Sequence, residues 1–135
     1  MREIKFRGYN AKNKEWLYGC YLINRGEHFI CPDGIQPADK TSEDFQIVPE
    51  TLGQFTCLHD FYGKEIYEGD IINSEDDFIH VINYARSCAC FLVTTPGDRY
   101  STFSRILTQD WINEYQKKVI GNIYDNPELL KGGEE

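Results

Sequence analysis

Two tight turns near the middle of the chain constrain the fold more than any other feature of this sequence. Residues 51–72 read TLGQFTCLHDFYGKEIYEGDII. Residues 54–58 are β-branched and aromatic, which favours a strand. Asp60 can accept hydrogen bonds from the backbone that follows it, and Gly63 can take the positive φ that closes such a turn. Gly69 and Asp70 have the composition of a second turn, so the run predicts a hairpin followed by entry into another sheet.

The flanking segments also predict strands, because polar and apolar residues alternate in short stretches between turn formers. Thr108 is a plausible N-cap for one helix, and Asn126 with Pro127 would begin a further helical turn. The predicted strands lie at residues 3–8, 16–24, 28–31, 45–48, 54–58, 64–67, 70–73, 78–85, 88–95, 99–103 and 118–124, the helix at 108–116, and a loop at 32–43. The sequence therefore predicts a mainly β fold.

Three blocks of sequence carry a resemblance to a known family. They are Ile4-Lys5-Phe6-Arg7-Gly8 with Trp16-Leu17-Tyr18-Gly19, then Thr51, Gly53-Gln54-Phe55-Thr56, Leu58, Asp60, Gly63 and Ile66-Tyr67-Glu68-Gly69-Asp70-Ile71, and finally Val119-Ile120-Gly121-Asn122-Ile123-Tyr124-Asp125-Asn126-Pro127-Glu128-Leu129-Leu130. Together, and in this order, they resemble the YopX family of phage and prophage proteins over nearly the whole chain. Cys57 is the one departure, since the family often has glycine there.

The resemblance implies an SH3-like barrel and a phage or prophage origin, but no established activity. Five predicted strands after residue 69, with a helical turn before the last, match the strand count and order of such a barrel. We therefore expect a β-rich N-terminal lobe over residues 1–68, a barrel over 69–130 and a frayed tail over 131–135, folding as one cooperative unit.

The charge balance argues against broad binding of nucleic acid. The chain carries 22 acidic and 14 basic side chains, a net charge of −8, and such a surface repels phosphate backbones. The N-terminal segment is the exception, since residues 1–14 hold Arg2, Lys5, Arg7, Lys12 and Lys14 against Glu3 alone. This segment is either solvated edge-strand charge or the contact surface of a nucleic-acid-associated accessory factor.

The sequence is typical of a cytoplasmic protein with reduced thiols. The N-terminus has no apolar signal region, and no apolar run is long enough to span a bilayer. The five cysteines are odd in number and show no disulfide framework.

No pattern of a catalytic, metal or cofactor site stands out, so we expect no cofactor and no enzymatic activity. Cys88 and Cys90 could point to one face of a strand, but no second ligand pair follows them. Cys57 and His59 are poorly aimed for a nucleophilic dyad. A second alternative, besides the nucleic-acid-associated factor, is a cryptic hydrolytic enzyme that uses Glu65, Glu68 or Cys57 of the acidic central turn. Asp60 and Asp70 are better explained as turn residues.

Aromatic residues are more numerous than a small β core can bury. Fourteen per cent of the chain is Phe, Trp or Tyr, and partly exposed rings often anchor protein contacts. We expect a non-catalytic interaction module that contacts a protein partner or a second copy of itself, without nucleic acid or membrane. The candidate contact residues are Arg7, Trp16, Tyr18, Tyr62 and Tyr67, and Asp60, Gly63, Gly69 and Asp70 are the candidate structural turn residues.

Overall fold

A computed structural model describes residues 1–32, 42–73, 79–96 and 104–134. Its antiparallel strands and few helical turns confirm the mainly β fold. The strands are β1 Phe6–Asn10, β2 Glu15–Asn24, β3 Glu27–Cys31, β4 Gly53–His59, β5 Glu65–Tyr67, β6 Asp70–Asn73, β7 Ile79–Ala85, β8 Cys90–Thr94, β9 Ser104–Ile106 and β10 Lys118–Asn122. The helices are α1 Gln109–Glu114 and the 3₁₀ segments Glu43–Phe45, Pro49–Thr51 and Pro127–Glu134.

The chain divides into two compact units, Met1–Phe55 and Thr56–Glu135. The sequence-based boundary lay after Glu68, but the structural boundary falls inside β4. The second half of β4 forms a hairpin with β5, and the turn between them bonds to β10, so this part of the strand belongs to the second unit. We call these the first unit and the second unit.

The first unit contains the predicted meander. Its strands follow the order β3-β2-β1-β4, and its core consists of Leu17, Ile30 and Ile47. Gly19 lies where a Cβ would collide with the carbonyl oxygen of Cys31. This close backbone approach explains why a glycine interrupts β2.

A short strand at residues 45–48 was predicted but is absent, and the segment instead begins with the 3₁₀ helix Glu43–Phe45. The buried Asn10 side chain is the reason. Its Nδ2 donates to the carbonyl oxygens of Glu43, Asp44 and Gln46 at 3.0, 3.1 and 2.7 Å. These carbonyls therefore bond to a side chain. Among the described residues, the pairing of this segment with strands is limited to isolated contacts, a bridge between Phe29 and Gln46 and a bond from the Val48 amide to the Tyr9 carbonyl oxygen.

The second unit is built on an antiparallel sheet of order β10-β6-β7-β8-β9. The last strand of the chain pairs with β6, the first strand after the central turns. β9 and β10 are the outer strands of this sheet as described. The predicted strand at 99–103 and most of the loop at 32–43 lie outside the described residues.

The predicted helix is present as α1 and packs onto this sheet. The Thr108 hydroxyl accepts a hydrogen bond from the Trp111 amide at 3.2 Å, which is an N-cap. Trp111 and Ile112 join the core of the second unit with Ile66, Ile72, Ile82, Val93, Leu107 and Val119. Across the described part of the chain, no helix has the length and apolar character needed to cross a membrane.

Candidate functional site

The turn between β4 and β5 displays two aromatic side chains. Phe61 is 42% exposed and Tyr62 is 65% exposed. Their ring centroids are 5.2 Å apart with an interplanar angle of 86°, an edge-to-face pair. We call residues 59–64 the aromatic turn. A pair of rings this exposed is a conspicuous apolar feature on an otherwise acidic chain.

A buried carboxylate fixes the backbone beneath these rings. Asp60 is 4% exposed. Its Oδ1 accepts hydrogen bonds from the amides of Tyr62 and Lys64, both at 2.9 Å, and its Oδ2 accepts from the amide of Val119 at 3.0 Å. Hydrogen bonds to a carboxylate are stronger than bonds between neutral groups. The Asp60 side chain therefore holds the backbone of its own turn in place and connects that turn to β10.

Backbone hydrogen bonds complete the turn. The Asp60 amide donates to the Lys64 carbonyl at 2.7 Å, and the Gly63 amide donates to the Asp60 carbonyl at 3.0 Å. The Phe61 amide donates to the Lys117 carbonyl at 2.9 Å. Gly63 has a φ of +93°, a conformation that a side chain disfavours. The rings therefore project from a backbone that has little freedom.

A lysine lies beside one of the two rings. The Lys118 ammonium lies 5.9 Å from the centroid of Tyr62, within the range of a cation–π contact. The Lys64 side chain is also exposed. Phe61 and Lys118 were missed from the sequence; Phe61 stands next to Tyr62 and could have been included, whereas Lys118 is 56 residues away from Tyr62 in the chain.

Three of the other predicted contact residues lie together in the first unit. Arg7 and Tyr18 are paired across β1 and β2, and the Arg7 guanidinium lies 5.0 Å from the Trp16 ring. Tyr18 is 46% exposed, whereas Arg7 is only 5% exposed. These residues form one cation–aromatic group on the sheet, in which Tyr18 offers the most surface.

Tyr67 and the turn at Gly69 and Asp70 are part of the buried interior of the second unit. Tyr67 is 3% exposed, and its hydroxyl donates to Glu65 at 3.0 Å. The Asp70 carboxylate accepts from the Tyr67 amide at 2.7 Å, and Gly69 has a φ of +94°. Tyr67 is therefore placed to pack and not to contact a partner.

Two basic side chains of the N-terminal segment, Lys5 and Lys12, are paired with acids. The Lys5 ammonium lies 3.2 Å from Glu3, and the Lys12 ammonium lies 2.9 Å from Asp44. The hydrogen bond from Lys12 lowers the pKa of Asp44, and the same bond raises the pKa of Lys12. This pairing reduces the positive field that a phosphate backbone would meet.

The second unit also contains a buried pair of basic side chains. Lys117 is 2% exposed and His80 is 6% exposed. Their Nζ and Nε2 atoms are 3.3 Å apart, and the Lys117 ammonium lies 5.0 Å from the Trp111 ring. Neither side chain offers a substrate much surface. Among the described residues, no group of three or more His, Cys, Asp or Glu side chains is placed to hold a metal ion.

Comparisons with known proteins place the chain in a family. The family model of the YopX protein matches residues 5–131. The chain belongs to the YopX family. This confirms the resemblance seen in the sequence. Cys57, the one departure from the family pattern, has a φ of +70°, a conformation that the glycine often found there adopts more easily.

A solved structure shares the architecture of this YopX-family chain. The crystal structure of protein EF1440 from Enterococcus faecalis is 26% identical, with a TM-score of 0.57, over 96% of this chain and 99% of that one. The comparison with curated proteins gave no match.

Proposed function

We propose that this YopX-family protein is a non-catalytic protein-interaction module that acts in the bacterial cytoplasm for a phage or prophage. Its contact point is the aromatic turn. The observation that supports this most directly is the exposed Phe61–Tyr62 pair on a backbone fixed by the buried Asp60.

Preorganisation is the physical argument. Ordering a loop on binding opposes association, so a turn that is already rigid loses less free energy when it docks. Aromatic side chains that enter a partner's pocket are the commonest energetic anchors of interfaces. Two adjacent rings left this exposed contribute less to folding than they would if buried, because most of the stabilisation from an aromatic side chain comes from the area it buries.

The charges of the site define the partner. Lys118 lies beside the Tyr62 ring and Lys64 is an exposed residue of the same turn, so the complementary surface is an apolar pocket with an acidic rim. A protein surface fits this description, and a phosphate backbone without an apolar pocket does not. A second copy of this acidic chain is one form that the partner can take.

Photo-crosslinking tests the proposal. A benzophenone amino acid is placed at position 62, with position 84 as the matched control, because Tyr84 is a 42% exposed tyrosine in the same unit. We expect position 62 to give a discrete crosslinked species and position 84 to give little. A product of twice the chain mass identifies a second copy, and any other product is identified by mass spectrometry and purified.

Binding to that purified partner is then measured. Phe61→Ala and Tyr62→Ala should each weaken it by about tenfold or more, whereas Tyr84→Ala should not. Equal crosslinking at positions 62 and 84, or unchanged affinity in both turn variants, would overturn the proposal.

The nucleic-acid alternative has its own signature. Affinity for single-stranded or duplex DNA would fall steeply as salt concentration rises, whereas an aromatic contact would change little. Steep salt dependence that is lost in Lys5→Ala and Lys12→Ala would favour that alternative.

A further inference from the structure

The turn between β7 and β8 brings two thiols into contact. The sulfur atoms of Cys88 and Cys90 are 3.1 Å apart. Cys88 is exposed and Cys90 is partly buried, so both can be reached from solvent. Neither thiol belongs to the core or to the aromatic turn.

The residue between the two cysteines causes this approach. In an extended strand, residues two apart have Cα atoms about 6.6 Å apart, near the upper limit for a disulfide. Ala89 has a φ of +53°, a left-handed conformation that bends the chain between the two cysteines. Left-handed backbone is unfavourable for alanine, so the fold keeps the thiols together at some local cost.

We propose that Cys88 and Cys90 form a redox site, which a low-molecular-weight disulfide such as oxidised glutathione converts to a reversible intramolecular disulfide. One thiolate attacks the small disulfide, forms a mixed disulfide and releases one small thiol. The second thiolate then attacks the protein sulfur of the mixed disulfide and releases the other small thiol. The two cysteines lose two protons and two electrons, and the small disulfide is reduced to two thiols.

The environment assigns the two roles. The exposed Cys88 is the attacking thiol, since a small disulfide reaches it more readily. The hydrogen bond with Cys88 raises the pKa of Cys90, which suits the resolving thiol because it remains protonated while its neighbour reacts. The resulting ring is very small, so the bond adds little to stability through chain entropy. Strained and exposed disulfides are easily reduced again, which is the behaviour of a switch and not of a structural crosslink.

The ligand set favours oxidation over metal binding. A structural zinc site needs four ligands, and among the described residues no further His, Cys, Asp or Glu joins the two thiols as a metal-binding group.

Mass spectrometry after equilibration in glutathione buffers tests the proposal. Trypsin cleavage after Arg86 and Arg99 releases both cysteines in one peptide, residues 87–99. We expect this peptide to become lighter by two hydrogen atoms on oxidation and to resist alkylation, and to regain both alkylation sites on reduction. In Cys90→Ser, Cys88 should retain bound glutathione, and glutathione should leave at least about tenfold more slowly than in the wild type, because the intramolecular attack is lost.

Cys20 and Cys31 provide the internal control. They are Cα partners across β2 and β3 and could themselves form a disulfide. The assay is therefore repeated in a Cys20→Ser background, in which oxidation of Cys88 and Cys90 should be unchanged. Accumulation of stable glutathione adducts on Cys88 in the wild type would overturn the proposal. So would full alkylation of Cys88 and Cys90 in every buffer that oxidises a control dithiol peptide.

Discussion

Two of the hairpin turns in the second unit, both within the described residues, hold their backbones in different ways. The aromatic turn is tied by a buried carboxylate that accepts three amide hydrogen bonds, and its positive φ belongs to a glycine. The β7–β8 turn is closed by a longer bond from the Cys88 amide to the Ala85 carbonyl at 3.3 Å. Its positive φ belongs to alanine.

This difference separates two uses of a turn. A well-bonded turn presents side chains in one orientation, which favours recognition because less order remains to be acquired on binding. A turn with strained backbone can keep reactive groups unusually close, which favours chemistry between them. The side chains agree with this division, since the first turn exposes rings and the second exposes thiols.

Of the changes that test this difference, removal of the Asp60 carboxylate should have the largest effect on stability. Asp60→Ala leaves three buried or partly buried amides without their acceptor, and we expect a loss of about 3–5 kcal/mol in the free energy of unfolding. Asp60→Asn keeps one acceptor oxygen and should lose less. Urea denaturation measures both, and Asp110→Asn, an exposed aspartate of the same unit, is the control. A loss below about 1 kcal/mol in Asp60→Ala would mean that the carboxylate does not hold the turn.

The next largest effect should come from Gly63. A Cβ at this position would meet no atom within 4 Å, so substitution tests the backbone conformation alone. Gly63→Ala should destabilise the protein by about 1–2 kcal/mol. Gly63→Asn should destabilise it less, because asparagine tolerates left-handed backbone better. Equal stability of Gly63→Ala and the wild type in urea would contradict the positive φ.

The sequence predicted these elements unevenly, for physical reasons. Local rules located most of the described strands, the Thr108 cap and the glycine turns, because each depends on residues that are close in the chain. The 3₁₀ helix at Glu43–Phe45 could not be predicted, since Asn10 holds it from 33 residues away. The bond between Asp60 and Val119 spans 59 residues, and without it the turn could not be recognised as fixed.

The candidate sites show the same limit. Counting aromatic residues predicted partly exposed rings but not which ones, so Tyr67 was grouped with Tyr62 although it is buried. The proximity of Cys88 and Cys90 followed from their spacing, whereas the left-handed Ala89 that brings their sulfurs together is visible only in the structure.

Removing the backbone strain at Ala89 should change stability less than the Asp60 and Gly63 substitutions, and should stabilise the protein. Ala89→Gly should raise the free energy of unfolding by about 0.5–1 kcal/mol, because glycine takes a φ of +53° without strain and this gain exceeds its entropy loss. Ser87→Gly, in the same turn but without a positive φ, should instead be neutral or destabilising. If both variants change stability alike, Ala89 is not strained and the contrast between the two turns fails.

The smallest expected effect concerns protonation in the β7–β8 turn. Cys88 raises the pKa of Cys90 through their hydrogen bond and through its charge when ionised. In Cys88→Ser the thiolate is gone, so the pKa of Cys90 should fall towards the ordinary value for a cysteine. The alkylation rate of Cys90, followed by mass spectrometry as a function of pH, should then rise at lower pH than in the wild type, with stability unchanged. Cys20→Ser is the control and should leave the profile of Cys90 as it is. An unshifted profile in Cys88→Ser would show that the two sulfurs do not interact in solution, and the geometric basis for a reactive turn would be lost while the aromatic turn was unaffected.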